Sequence, residues 1–129
     1  MVKQFSVFLE NTPGRLSYLM DTLEVNSIKV LALGIAEAGN YGIVRMIVDN
    51  DEKAIDVMRR GNIAVNQAEV IIADLESLPR AVHVLGENKI NIDYAYTMDC
   101  SKVVLKVDDV KKAIEALSNS GMAIYASKC

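Results

Sequence analysis

A chain of 129 residues, 51% of them hydrophobic and 24% charged, is expected to fold as one sizeable globular domain or two small ones. A net charge of −3 argues against a nucleic-acid partner, since neutralising phosphates needs a local excess of Lys and Arg. No stretch approaches the ~20 apolar residues of a membrane helix, and Met1-Val2-Lys3-Gln4-Phe5 lacks the pattern of a secretory signal. Cys100 and Cys129 are too few and too isolated for a disulfide framework or a thiolate metal cage, so a reduced, cytoplasmic setting away from membranes is expected.

Gln4 to Glu10 alternates, with Phe5, Val7 and Leu9 on one face and Gln4, Ser6 and Glu10 on the other, as in a half-buried strand. Thr12 is expected to cap a helix with Pro13 at its first position, followed by an apolar stripe of Leu16, Leu19, Met20 and Leu23. A second strand is expected over Ile28 to Glu37, a turn at Ala38-Gly39-Asn40, and a third strand over Tyr41 to Val48. Asn50 or Asp51 caps a second helix whose inner face holds Ala54, Val57 and Met58, and Gly61-Asn62 stops it. Ile63 to Asp74 is extended and apolar, and longer than an average strand. It is followed by a short helix near Pro79 to Leu85, strands from Ile90 to Met98 and Lys102 to Val107, a helix from Asp109 to Ser118, and a last strand from Met122 to Ala126.

The second half of this order repeats the first. Asp49-Asn50-Asp51-Glu52-Lys53-Ala54-Ile55 is echoed by Asp108-Asp109-Val110-Lys111-Lys112-Ala113-Ile114, and Asn26-Ser27-Ile28-Lys29-Val30 by Asn88-Lys89-Ile90-Asn91-Ile92. Pro13 is matched to Pro79. Two βαββαβ copies are expected, residues 1–66 and 67–129, each of the α+β, ferredoxin-like kind with an antiparallel sheet.

Such a fold alone implies no chemistry. The turn Glu10-Asn11-Thr12-Pro13-Gly14-Arg15-Leu16, however, is close to the P-G-x-L or x-G-R-L turn of ACT domains. With the Asn26–Val30 and Asp49–Ile55 blocks beside it, the whole chain resembles a tandem ACT-domain protein, similar to the free-standing two-ACT proteins of prokaryotes. The resemblance implies a non-catalytic regulatory protein that senses an amino acid or related metabolite, with no cofactor. A hydrolase of acylphosphatase type, with Gly14-Arg15 cradling a phosphate and Asn26 orienting water, and a purely structural dimerisation module are the alternatives.

The turn has a physical rationale as a site. Gly14 lets a ligand approach the backbone, and the first N–H groups of a helix attract a carboxylate. The expected ligand-binding residues are Asn11, Thr12, Pro13, Gly14, Arg15 and Leu16, with Ile28 and Val30 flanking the side chain from the same or a neighbouring unit. No catalytic residue and no metal ligand is assigned: His83 stands alone, and Asp49, Asp51, Asp108 and Asp109 read as helix caps and dipole partners. In the second copy Arg80 is taken to stand where the glycine should be. Its helix is expected to be one turn shorter, because 11 residues separate Pro79 from Ile90 against 15 from Pro13 to Ile28. That copy is expected to bind poorly. Apolar residues on both faces of the third strand, Val44, Met46 and Val48 against Tyr41, Ile43 and Ile47, lead to the expectation that the copies join or stack their sheets within the chain and that two chains form a symmetric homodimer.

Overall fold

The structure, a computed structural model, describes residues 2–128. It divides into two compact units, Lys3–Ala68 and a second that begins at Glu69 and includes Val2.

The first unit runs β1 (Val2–Glu10), α1 (Arg15–Val25), β2 (Val30–Ala38), β3 (Tyr41–Val48) and α2 (Asp51–Arg60), and closes with the start of β4 (Ala64–Asp74). Its strand order is β4–β1–β3–β2. β3 is antiparallel to both neighbours, with Phe5 opposite Met46, Val7 opposite Val44 and Ile35 opposite Val44. The expected alternation places Phe5, Val7 and Leu9 on the face that packs against Leu19 and Leu23 of α1 and Ala54 and Met58 of α2. Burying each such leucine contributes about 1.5–3 kcal/mol. The polar face of β1 does not behave as its pattern suggests: Gln4 is fully buried, and its Nε2 donates to Ser6 Oγ at 3.2 Å. Ile47, on the side of the sheet away from the helices, is fully buried as well.

The second unit repeats the plan. The end of β4 leads through a 3-10 turn (Leu75–Ser77) into α3 (Leu78–Glu87), then β5 (Ile92–Met98), β6 (Lys102–Val107), α4 (Val110–Asn119) and β7 (Ile124–Tyr125). The order β7–β4–β6–β5 is that of the first unit, with Ile71 opposite Leu105 and Ala73 opposite Val103. These antiparallel sheets accord with the ferredoxin-like order expected of each copy.

The echoed blocks do equivalent jobs. Asn50 Oδ1 accepts the Lys53 N–H at 3.1 Å and Asp109 Oδ1 the Lys112 N–H at 3.0 Å, each capping its helix. Asp49 and Asp108 are not caps. Asp49 Oδ1 accepts the Lys29 N–H at 2.9 Å and Asp108 Oδ1 the Asn91 N–H at 3.1 Å, pinning the chain just before β2 and β5. Among the described residues no helix is long and apolar enough to cross a membrane.

Candidate functional site

Beyond Glu10 the chain turns through Asn11-Thr12-Pro13-Gly14 before α1 begins. The Asn11 N–H donates to Asn40 O at 2.8 Å and its Nδ2 to Gly39 O at 3.4 Å, tying the turn to the tip of the β2–β3 hairpin. The Arg15 N–H donates to Thr12 O at 3.4 Å, and Gly14 sits at φ 90°, ψ −14°. Those are the angles of the third residue of a type II β-turn, which demands glycine there and favours proline just before it. The expectation that Thr12 caps the helix and Pro13 opens it is therefore corrected. Pro13-Gly14 first completes a turn, the helix starts at Arg15, and Gly14 is its N-cap without a side-chain hydrogen bond. A Cβ on Gly14 would meet nothing within 4 Å, so the backbone angle and not crowding is what requires glycine.

A cavity of about 130 Å³ lies beside this turn, lined by Leu9, Glu10, Asn11, Thr12, Leu16, Ile35, Gly42 and Val44. Three of the expected site residues, Asn11, Thr12 and Leu16, thus meet at one hollow, while Pro13, Gly14 and Arg15 shape the turn without lining it. Arg15 does not reach in. Its Cζ lies 5.3 Å from the centroid of the Tyr18 ring further along α1, and its buried Nε makes no hydrogen bond among the described residues. Ile28 and Val30 are elsewhere. They line a broader, more open hollow of about 470 Å³ with Met20, Leu23, Glu24, Ser27 and Lys29, at the opposite end of α1. Within one unit they do not join the turn residues, because α1 runs 11 residues between the two places.

Leu9, Glu10, Ile35, Gly42 and Val44 were missing from the expected set. A signal for them existed: the Gly39-Asn40 hairpin sets Ala38 opposite Tyr41, and counting back brings Ile35 opposite Val44, beside Leu9. The hydrolase alternative loses its geometry. Asn26 Nδ2 donates to Thr22 O at 2.7 Å at the C-terminal end of α1, and Arg15 stands at the N-terminal end.

The second unit differs for a reason other than the one expected. The register matches Val7 with Ala73 and the helix packing matches Leu19 with Ala81, so the strand-to-helix interval is four residues shorter there. The loss falls before the helix, not within it: α3 has 10 residues against 11 in α1. Pro79 accordingly lies in the first turn of α3, and Arg80 stands at the place of Tyr18, not of Gly14. The Arg80 guanidinium donates to Ser120 O, at the C-cap of α4, at 2.7 Å. Tyr18 Oη takes the matching place near the C-cap of α2, 3.4 Å from where a Gly61 Cβ would sit. At the counterparts of Leu33 and Ile35 the second unit has Ala95 and Thr97, opposite Leu105 and Val103.

The strongest electrostatics lie in this second unit and are structural. The Tyr125 hydroxyl, donating at 2.9 Å, and the Lys102 ammonium at 3.1 Å hold Asp74 below the usual carboxylate range. The bond to Asp74 likewise raises Lys102, whose Nζ lies 4.3 Å from the Tyr125 ring centroid. The three side chains staple β4, β6 and β7. Asp93 is held low by the Asn91 amide at 3.0 Å and by Lys106 at 3.1 Å. Tyr94 and Tyr96 stack on each other at 6.4 Å, and His83 pairs with Glu87 on exposed α3. Cys100 is not a free thiol, and Cys129 lies outside the described residues.

No curated protein matches the chain. Among solved structures, a protein of Bacteroides thetaiotaomicron is 30% identical with a TM-score of 0.87, over 96% of this chain and 91% of that one. The regulatory subunit of aspartate kinase from Thermus thermophilus, in its ligand-free form, shares the fold at 14% identity and a TM-score of 0.66, over 93% and 91% of the two chains. The corresponding Thermus flavus subunit does so at 12% and 0.64, over 92% of each. The family profile of the ACT domain pair matches residues 1–128, which takes in both βαββαβ copies. The chain therefore belongs to the ACT domain pair family.

Proposed function

We propose that this chain is a non-catalytic regulatory protein of the cytoplasm that binds an amino acid or related metabolite at the strand–helix turn of its first unit. The observation that carries the reading is the cavity beside that turn. Leu9 and Val44 form a buried floor, Leu16 and Ile35 rise from it half-exposed, and Asn11 and Thr12 stand at the side where the first N–H groups of α1 begin. Those N–H groups have no partner within the helix and favour a carboxylate. Family membership supports the reading. So does the second unit, where the four missing residues remove the turn.

On this reading residues 1–66 are the sensing unit, and 67–129 form the second unit without a second ligand. Asn11, Thr12 and Leu16 touch the ligand, and Pro13, Gly14 and Arg15 hold the turn. Ile28 and Val30 enter only as residues presented by another chain of a homodimer. Calorimetry on the intact chain against amino acids and their keto-acid relatives tests this, with one site per chain expected. A ligand at 100 times its dissociation constant should also stabilise the fold by about 2.7 kcal/mol. Uniformly null shifts, two equivalent sites per chain, or full binding by an Asn11→Ala/Thr12→Ala double variant would each count against the turn. A strictly monomeric mass across micromolar concentrations would remove the dimer.

A further inference from the structure

We propose that the site selects amino acids with an aliphatic side chain of three or four carbons, those of valine, leucine and isoleucine. The inference rests on the turn being the ligand site and concerns what that site accepts. Four of the eight lining residues are Leu9, Leu16, Ile35 and Val44, and Gly42 adds no side chain. The polar lining residues, Glu10, Asn11 and Thr12, follow the buried Leu9; Glu10 alternates to the opposite face of β1, so the polar side chains at the hollow are those of Asn11 and Thr12.

This division matches the two ends of an amphiphilic ligand. An α-carboxylate finds the first turn of α1 beside Asn11 and Thr12, on the polar side, while the ligand's side chain meets hydrocarbon. A charged side chain would be drawn from water against Leu9 and Val44 with no partner there, a cost that pushes such ligands out. Size narrows the class further. The hollow is small, about 130 Å³, and the ligand's backbone end shares it, which favours the shorter aliphatic side chains over benzyl.

The walls also lack cover without a ligand. Leu16 is 39% and Ile35 54% exposed. An aliphatic group between them removes apolar surface from water on both sides. In the second unit the position of Ile35 is Thr97, so the same wall is not built twice.

The test is calorimetry of the intact chain with valine, leucine, isoleucine, alanine, phenylalanine, aspartate and lysine. Leucine, isoleucine or valine should bind tightest, and each methylene removed toward alanine should weaken binding on the order of 10-fold or more. Ile35→Thr keeps a β-branched strand residue at a half-exposed position and should shrink the leucine-to-alanine affinity ratio by about 10-fold. Leu16→Ala, on the exposed side of α1, should shrink it in the same direction. Tighter binding of aspartate, lysine or phenylalanine than of leucine, or an unchanged ratio in both variants, would overturn the selectivity and leave the turn standing as a site. A panel in which no amino acid binds would instead overturn the reading of the turn, and the selectivity with it.

Discussion

Two glycines with equal room around them should respond to alanine in opposite directions. A Cβ at Gly14 and a Cβ at Gly86 would each meet nothing within 4 Å, so neither substitution creates a clash. Gly14, however, sits at φ 90°, where an L side chain crowds its own backbone, at a cost of about 1–2 kcal/mol. Gly86 lies in the last turn of α3 with no positive φ, and alanine there should stabilise by roughly 0.5–1 kcal/mol by restricting the unfolded chain and favouring helix. For a chain of this size a change of 1 kcal/mol moves the melting temperature by roughly 3–5 °C. Gly14→Ala should therefore melt several degrees below the parent and Gly86→Ala a few degrees above it. Gly14→Asn should fall between Gly14→Ala and the parent, because asparagine tolerates the left-handed region better. Urea unfolding followed by circular dichroism reads the midpoints, and an unchanged slope keeps the comparison within one transition. A Gly14→Ala variant as stable as the parent would refute the claim that a type II turn, and not a simple helix start, joins β1 to α1.

The acid limb of stability offers a second check. The pKa values of Asp74 and Asp93 lie below the ordinary 3.8 when folded, so the stability these groups add is complete above 3.8 and is lost as pH falls through their lower folded values. Asp74→Asn should flatten that decline in urea midpoints taken across the acid range, and an identical decline would discount the Tyr125–Asp74–Lys102 staple. The two helix caps provide a third. Asn50→Ala and Asp109→Ala should each cost about 1 kcal/mol in chemical unfolding, because each removes the acceptor for a first-turn N–H in its own unit. A loss in one variant and none in the other would contradict the equivalence of the repeated blocks.

The repeat was legible because its marks are local. Asn50 and Asp109 cap helices through bonds that span three residues, and the positive φ values of Ser27 and Lys89 fall where the Asn26 and Asn88 blocks end each first helix. The hairpin at Gly39-Asn40 fixed the β2–β3 register within a residue of expectation. What the pattern hid depends on residues far apart in the chain. Gln4 reads as the polar side of an alternating strand, yet it is fully buried, and no local spacing reports that; the burial of Ile47, by contrast, accords with the apolar residues that share its face. Ile35 belongs to the cavity only through its pairing with Val44, so a motif read along the chain passes over it.

The match of Pro13 with Pro79 shows how one residue type can misalign two copies. Proline fixes φ near −65°, a value that serves both the second position of a type II turn and the first turn of a helix. The residue that follows decides between them. After Pro13 comes glycine, which reaches φ 90° and lets the chain turn before the helix. After Pro79 comes Arg80, which the left-handed region disfavours, and the chain passes from β4 through Leu75–Ser77 straight into α3. The shorter interval between Pro79 and Ile90 then reflects a proline displaced into its helix, not a helix cut short. The two copies do differ at this turn, though not for the reason the sequence suggested. Arg80 does not fill a site; it closes the end of α4 through Ser120 O, and the turn that would have framed a site is absent. A glycine at position 80 would therefore not restore a ligand cavity, because four residues of chain would still be missing ahead of it.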